Sequence, residues 1–254
     1  MKHKHAGFCF VAMLLLLAGC TKNSNVKFAV VVSANAEWKA VKKIFPSEKY
    51  TGSPWGEFFV TEVAQEKVLV FHQGWGKIAA AGATQYVIDE YHPDVIINLG
   101  TCGGFKGEIN QGEVVLADRT VVYDIIEAMG DSKQAIEDYS TDIDLSWLGD
   151  SYPVAVKKTL LVSGDQDLQP ANTLRLKEQY HAMAGDWESG AIAYVAARNK
   201  TKVLILRGVS DLVTGKTGEA YGNLGLFEQR TEEVMKGLFD DLPKWVELAK
   251  KNIN

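Results

Sequence analysis

The sequence predicts an α/β fold of three layers, with helices on both sides of a central mixed, mostly parallel sheet. Two observations carry that prediction. Short runs rich in apolar and β-branched residues alternate with longer stretches of helical periodicity, the pattern of repeated βαβ units. Several runs, among them Lys27 to Val32 and Lys67 to His72, are almost wholly apolar, as strands buried on both faces are.

Taken in order, the strand runs are Lys27 to Val32, Glu57 to Val63, Lys67 to His72, Asp94 to Leu99, Glu113 to Tyr123, Thr159 to Ser163 and Lys202 to Val209. The helical patterns are Glu37 to Ile44, Lys77 to Tyr91, Asn172 to Tyr180, Glu188 to Asn199 and Leu226 to Lys250, the last with Pro243 inside it, which is expected to kink or interrupt it. Glu127 to Pro153 is the least patterned stretch. Its glycines and aspartates suggest a surface excursion near a ligand or a partner subunit. No Pro-rich linker, charge block or repeat divides the chain, so residues 26–254 are read as one domain.

What precedes that domain has the anatomy of a leader. Lys2 and Lys4 are followed by eleven apolar residues, Phe8 to Ala18, too few to cross a bilayer core as a helix. Leu17-Ala18-Gly19-Cys20 then resembles the lipobox of bacterial lipoproteins, which implies removal of residues 1–19 and a lipid on Cys20. Residues 20–25 would form a tether. With Thr21 rather than aspartate after the cysteine, the resemblance implies an exported protein held at the outer membrane and facing the periplasm.

Loss of the leader moves the formal net charge from −5 to −7, because two lysines leave with it, and no basic run suggests nucleic acid as a partner. Cys9 leaves too and Cys20 is committed to lipid. Cys102 is then the single thiol of the body, which excludes an internal disulfide.

Motifs that fail are informative. Gly74-Trp75-Gly76-Lys77 follows a strand and opens a helix, yet a Walker A loop would need glycine at Phe71 and Ser or Thr at Ile78. No G-x-S-x-G elbow is present, and His72, His92 and His181 lack metal-ligand spacing, so neither a metal nor another cofactor is expected. Chemistry is left to carboxylates and backbone amides. Glu37, Glu188 and Asp211 stand out because each sits beside an apolar strand end or a helix start, the crevice where α/β sheets bind ligands. Each also has a plainer reading, as a first-turn helix acid or a turn residue.

Five blocks in order now resemble one family. They are Phe28 to Glu37; Gly74 to Ala81; Pro93 to Gly104; Ser163-Gly164-Asp165; and Trp187-Glu188-Ser189-Gly190-Ala191-Ile192-Ala193 followed by Arg207-Gly208-Val209-Ser210-Asp211. The chain thereby resembles the nucleoside phosphorylase and nucleosidase superfamily, above all the 5′-methylthioadenosine/S-adenosylhomocysteine nucleosidases. The resemblance implies a nucleoside phosphorylase-like fold, a purine nucleoside substrate and a homo-oligomer, often a dimer. It makes Asp211 the acid that protonates the purine at N7, positioned by Ser210, and Glu188 the holder of the ribose hydroxyls. Glu37 positions and activates water. Asp211 is expected to bind a proton more readily than Glu37, through burial and hydrogen bonding.

Thr101, Cys102, Gly103 and Gly104 match the loop along the ligand, where missing side chains permit close approach. Trp187 replaces a methionine that packs on the ribose, and Trp75 replaces an aliphatic residue near the 5′ group; core packing is the alternative for both. Phe227 is a candidate pocket aromatic. After Ser-Gly-Asp the relatives place a phenylalanine against adenine, whereas this chain has Gln166-Asp167-Leu168. Asp167 can accept from an exocyclic amine but cannot stack, which leaves the base open.

Water is favoured over phosphate as nucleophile. The phosphorylases' arginine before the ligand loop is Asn98 here, and Glu37 would repel a dianion. A phosphorylase and a non-catalytic nucleoside-binding lipoprotein remain the alternatives, but a pure binder has no use for the acids Asp211 and Glu37.

Overall fold

The computed structural model describes residues 26–253. The expected leader, the Cys20 expected to carry lipid and the expected tether lie outside these residues. Among the described residues no helix is long and apolar enough to cross a membrane.

Strand β1 (Phe28–Val32) is apolar and fully buried, and it runs parallel to β4 (Glu66–His72) on one edge and to β5 (Val95–Phe105) on the other. Beyond β4 the sheet continues antiparallel through β3 (Glu57–Val63) to the short β2 (Thr51–Gly52). The other edge of β5 carries β10 (Lys202–Val213), parallel from Lys202 beside Val95 to Val213 beside Phe105. The sheet then curls. β10 pairs antiparallel with β6 (Val114–Val122), β6 runs parallel to β8 (Lys157–Ser163), and β8 runs parallel to β9 (Ala184–Asp186). β9 returns to the far half of β5 at Gly103 and Gly104. Five strands thus close a ring, and β1, β4, β3 and β2 extend from it as a wing; β7 (Thr141–Asp142) pairs with β6.

Helices follow the strands as βαβ logic requires. α1 (Asn35–Ile44) packs on α6 (Leu224–Asn252), and α2 (Gly76–Tyr91) packs on α5 (Ser189–Arg198). α4 (Pro170–Tyr180) opens with proline at its first position, where the absent N–H costs nothing. α2 and α4 both stop at a left-handed histidine, His92 and His181, whose amide closes the last turn.

The sequence-based expectations meet three corrections. β5 and β10 run on past Leu99 and Val209 through stretches that look like loop in isolation, because each supplies the other's hydrogen bonds. Pro243 does not interrupt α6. Leu242, Trp245, Val246 and Ala249 are buried around it, and that burial offsets the roughly 3 kcal/mol a helix-interior proline costs. Residues 127–153 form the predicted excursion, with α3 (Ser132–Asp138) and one 3₁₀ turn, and Arg119 ties it down through Glu137 and Asp142 at 2.6 and 2.9 Å. They contribute nothing to the cleft described next.

Candidate active site

A cleft of about 830 Å³ opens at the carboxyl ends of the parallel strands. Residues at the starts of α1, α2, α4, α5 and α6 all border it. Glu37, Trp75, Thr101, Cys102, Gly103, Asp167, Leu168, Trp187, Glu188, Ser210, Asp211 and Phe227 all line it. These residues, singled out in the sequence, are therefore brought together from seven separate segments.

Glu37 occupies a gap in the sheet. β1 leaves the edge of β5 at Asn98 and β9 joins it at Gly103, and the stretch between carries no strand among the described residues. Glu37 Oε1 fills that gap, accepting from the Thr101 amide at 2.6 Å and the Thr101 hydroxyl at 2.8 Å. Its Oε2 turns back to the amides of Ser33 and Ala34 at 3.3 and 3.0 Å, capping α1. The plain reading as a first-turn acid and the functional one are both true of the same side chain.

Arg207 lies at the floor, fully buried, and is surrounded by acids. Its Nε is 2.9 Å from Asp186 Oδ2, its Nη1 3.6 Å from Glu37 Oε1, and its Nη2 3.5 Å from Glu188 Oε2. Ser189 donates to Asp186 through both amide and hydroxyl. One cation among three carboxylates leaves an excess of negative charge in a place where water is scarce. Burial accordingly pushes the Glu188 carboxyl up to about 8, with Asp186 and Glu37 adding to the rise and Arg207 opposing it. The plain reading of Gly74-Trp75-Gly76-Lys77 as a strand-to-helix turn is correct, but the turn also does site work. Its amides hold carboxylates of the protein itself: Gly76 N–H donates to Glu188 at 3.0 Å and Lys77 N–H to Asp165 at 2.8 Å.

Asp211 belongs to a separate environment. The register of β10 against β5 slips between Val209 and Asp211, leaving Ser210 as the extra residue of a bulge. Bulges re-aim side chains, and this one directs Ser210 and Asp211 to the cleft. The Ser210 hydroxyl lies 2.7 Å from Asp211 Oδ1 and 3.3 Å from the Cys102 carbonyl. Burial raises the Asp211 carboxyl above its ordinary range. The hydrogen bond from Ser210 acts in the opposite direction from that expected, because it favours the ionised form, but burial outweighs it.

Trp75 and Trp187 pack against each other as a tilted pair, ring centroids 4.5 Å apart at 32°, and Trp75 is 60% exposed, so core packing does not account for it. Gly103 lines the cleft as expected. Gly104 does not: an added Cβ there would lie within 3.0 Å of Val209, Ile109 and Leu212, so packing within the protein demands that glycine. Cys102 is buried, which pushes its thiol far up and leaves it inert. Among the described residues no group of three or more His, Cys, Asp and Glu is placed to hold a metal ion.

Arg207, Asp186 and Gly100 were missed as site residues. The signal for the first was present, since an arginine inside the apolar run of β10 is tolerable only if paired. Asp186 offered a weaker one, an acid two residues before Glu188. Gly100 gave none, because what it admits lies in other segments.

A family model described as the Phosphorylase superfamily matches residues 27–242. The 5′-methylthioadenosine/S-adenosylhomocysteine nucleosidase of Buchnera aphidicola subsp. Acyrthosiphon pisum (strain APS) is 27% identical over 73% of this chain and 85% of its own length. That of Tolumonas auensis is 29% identical over 61% and 73%. Among solved structures, the Neisseria meningitidis nucleosidase of the same name, in complex with methylthio-immucillin-A, superimposes with a TM-score of 0.69 at 22% identity, over 87% of this chain and 99% of that one. A Helicobacter pylori futalosine hydrolase shares the fold with a TM-score of 0.70 at 15% identity, over 87% and 98%.

Proposed function

The chain belongs to the phosphorylase superfamily, and from that membership we propose that it hydrolyses the N-glycosidic bond of a purine nucleoside, releasing free base and ribose or a ribose derivative. The observation that carries the reading is the division of acids within one cleft. Asp211, buried with its proton affinity raised, has the Ser210 hydroxyl beside it, while Glu37 accepts from backbone amides beside Arg207 and Glu188, raised as well, accepts from the Gly76 amide.

In this reading Glu188 takes the ribose hydroxyls and Glu37 takes a proton from water as its oxygen attacks C1′. The bond from C1′ to the base breaks with its electron pair moving to the purine, and Asp211 gives its proton to N7. The leaving base departs neutral, and the carboxylates stabilise the positive charge that develops on the sugar. Ser210 has one hydroxyl proton and two acceptors in reach. It turns to the Cys102 carbonyl while Asp211 is protonated and to Asp211 once the proton has left. Arg207 supports water against phosphate, since its charge is already committed to three carboxylates and the net field repels a dianion.

The test is to incubate the protein with a panel of purine nucleosides, with and without phosphate, and follow free base. Release that phosphate does not accelerate supports hydrolysis. No base from any nucleoside overturns the reading.

Two further parts of the proposal concern setting. The leader pattern up to Cys20 supports a lipid-anchored, exported protein at the outer membrane facing the periplasm, where scavenged nucleosides would be the supply; fatty-acid labelling lost in Cys20→Ala tests the anchor. Exposed Trp75, Ile78, Ile126 and Met129 lie on segments joined by the Lys77 to Asp124 ion pair and support a homodimer, which sedimentation would reveal.

A further inference from the structure

We propose that Asp124 is a positioning residue for Glu188: with Lys77 and Asp165 it closes a ring of hydrogen bonds that holds the Gly76 amide against the Glu188 carboxyl. The inference rests on the N-glycosidase reading, in which Glu188 takes the ribose hydroxyls.

The first two amides of α2 go to different acids. Gly76 N–H donates to Glu188 Oε1 at 3.0 Å, and Lys77 N–H, one peptide further on, donates to Asp165 Oδ1 at 2.8 Å. The helix has no partners of its own for either. The two peptide planes meet at Gly76, whose φ of +85° lies in the left-handed region and which carries no side chain to hinder rotation. A joint of that kind aims its near side only if its far side is anchored. Asp165 is the anchor.

Asp165 is held in turn. Its N–H donates to Asp124 Oδ2 at 2.9 Å, and Asp124 Oδ1 accepts from Lys77 Nζ at 2.5 Å. The ring therefore runs from the Lys77 amide to Asp165, from the Asp165 amide to Asp124, and from Asp124 back to the Lys77 ammonium, which also lies 3.9 Å from Asp165 Oδ2. The Lys77 and Asp124 side chains are 22% and 14% exposed, so the pair is largely shielded from the solvent that weakens surface ion pairs. Glycines make room for the ring. A Cβ at Gly76 would stand 3.1 Å from Asp165 Oδ1, and one at Gly164 would stand 2.9 Å from the Tyr123 ring and 3.1 Å from Asp124 Cγ. Asp124, Lys77 and Asp165 lie outside the cleft lining, so their route to a ligand passes through Glu188.

Glu188 faces Arg207 of β10, Asp186 of β9 and Glu37 of α1 as well as this amide. Burial and the two acids favour its protonated form. Arg207 and the Gly76 amide favour the carboxylate, which accepts from hydroxyls with both oxygens and stabilises positive charge on the sugar. The amide thus both aims Glu188 and keeps it ionisable, and an opened ring weakens both effects.

Two variants open the ring with opposite changes of charge: Asp124→Asn removes an anion and Lys77→Met removes a cation while keeping the backbone amide. The Glu188 carboxyl carbon is titrated by NMR in each, assigned as the signal missing from Glu188→Gln. Loss of a distant anion acting by charge alone would lower the pH at which Glu188 titrates, and loss of a distant cation would raise it; loss of the Gly76 bond raises it in both. An upward shift in both variants is expected. Opposite shifts, or none, overturn the proposal. Kinetics give a second reading. For a purine ribonucleoside, kcat/KM is expected to fall about tenfold or more in both variants, and the fall is expected to vanish for the 2′,3′-dideoxy counterpart, which has no hydroxyls for Glu188 to hold. An equal fall with both substrates marks the ring as a staple of the fold and overturns its role. Absence of base release from every nucleoside sinks the N-glycosidase reading, while the NMR titration still decides whether the ring governs Glu188.

Discussion

The guanidinium of Arg207 and the carboxylate of Glu37 approach to 3.6 Å across residue 100, where a methyl group would stand 2.2 Å from Arg207 Nη1 and 2.8 Å from Glu37 Oε1. Gly100 is thus a requirement of the site although no ligand need touch it. Replacement by alanine forces the floor apart in a region with no slack. Gly100→Ala is expected to lower stability by about 1–3 kcal/mol and to cut kcat/KM far more than an overpacked core site elsewhere would. Urea melts and nucleoside cleavage on the same preparation check both.

Removing the cation tests the opposite failure. Arg207→Met leaves Glu37, Asp186 and Glu188 buried without their shared partner, a change expected to cost about 3–5 kcal/mol. Arg207→Lys should recover little, since an ammonium cannot reach three carboxylates in a planar fork. Denaturant midpoints at neutral pH order the three proteins.

In the proposed mechanism Asp211 acts as its protonated form, so cleavage is expected to fall as pH rises through its raised pKa. Asp211→Asn should lower kcat by about 10²–10⁴ with a much smaller effect on KM. Ser210→Ala removes a bond that favours ionised Asp211 and should move the alkaline limb of the kcat/KM profile to higher pH. An alkaline limb that moves down, or stays, refutes the part given to Ser210.

Glu188 links the site to stability. Its carboxyl titrates near 8 in the folded chain against an ordinary 4.5, so between those values the folded protein binds a proton that the unfolded chain has released. The stabilisation is complete below about 4.5 and is lost as pH rises toward 8. Melting temperature is expected to drop from pH 5.5 to 8.5, and the slope should be shallower in Glu188→Gln. Asp211, raised as well, contributes with the same sign, so some slope remains in the variant.

The sequence exposed most of this architecture for a physical reason: strands such as β1 and β4 are apolar on both faces, and α1 and α2 follow directly on strand ends. Glu37, Glu188 and Asp211 were legible because charge beside an apolar run demands an explanation. What stayed hidden depends on partners distant in the chain. Gly100 to Gly104 has no strand pattern of its own and becomes one only because β10 lies beside it. β9 spans three residues and carries no periodicity, yet it closes the ring and delivers Asp186. The direction of the Ser210 effect depended on which partner the hydroxyl met.

The gap that Glu37 fills in β5 also has a dynamic meaning. The Thr101 amide is sheltered by a side chain from another segment rather than by a neighbouring strand, in the middle of an otherwise doubly paired strand. Its exchange with deuterated solvent therefore reports on the contact between Glu37 and Thr101, set against neighbours held by strand pairing. A single backbone proton can serve as a gauge of the site in the resting protein.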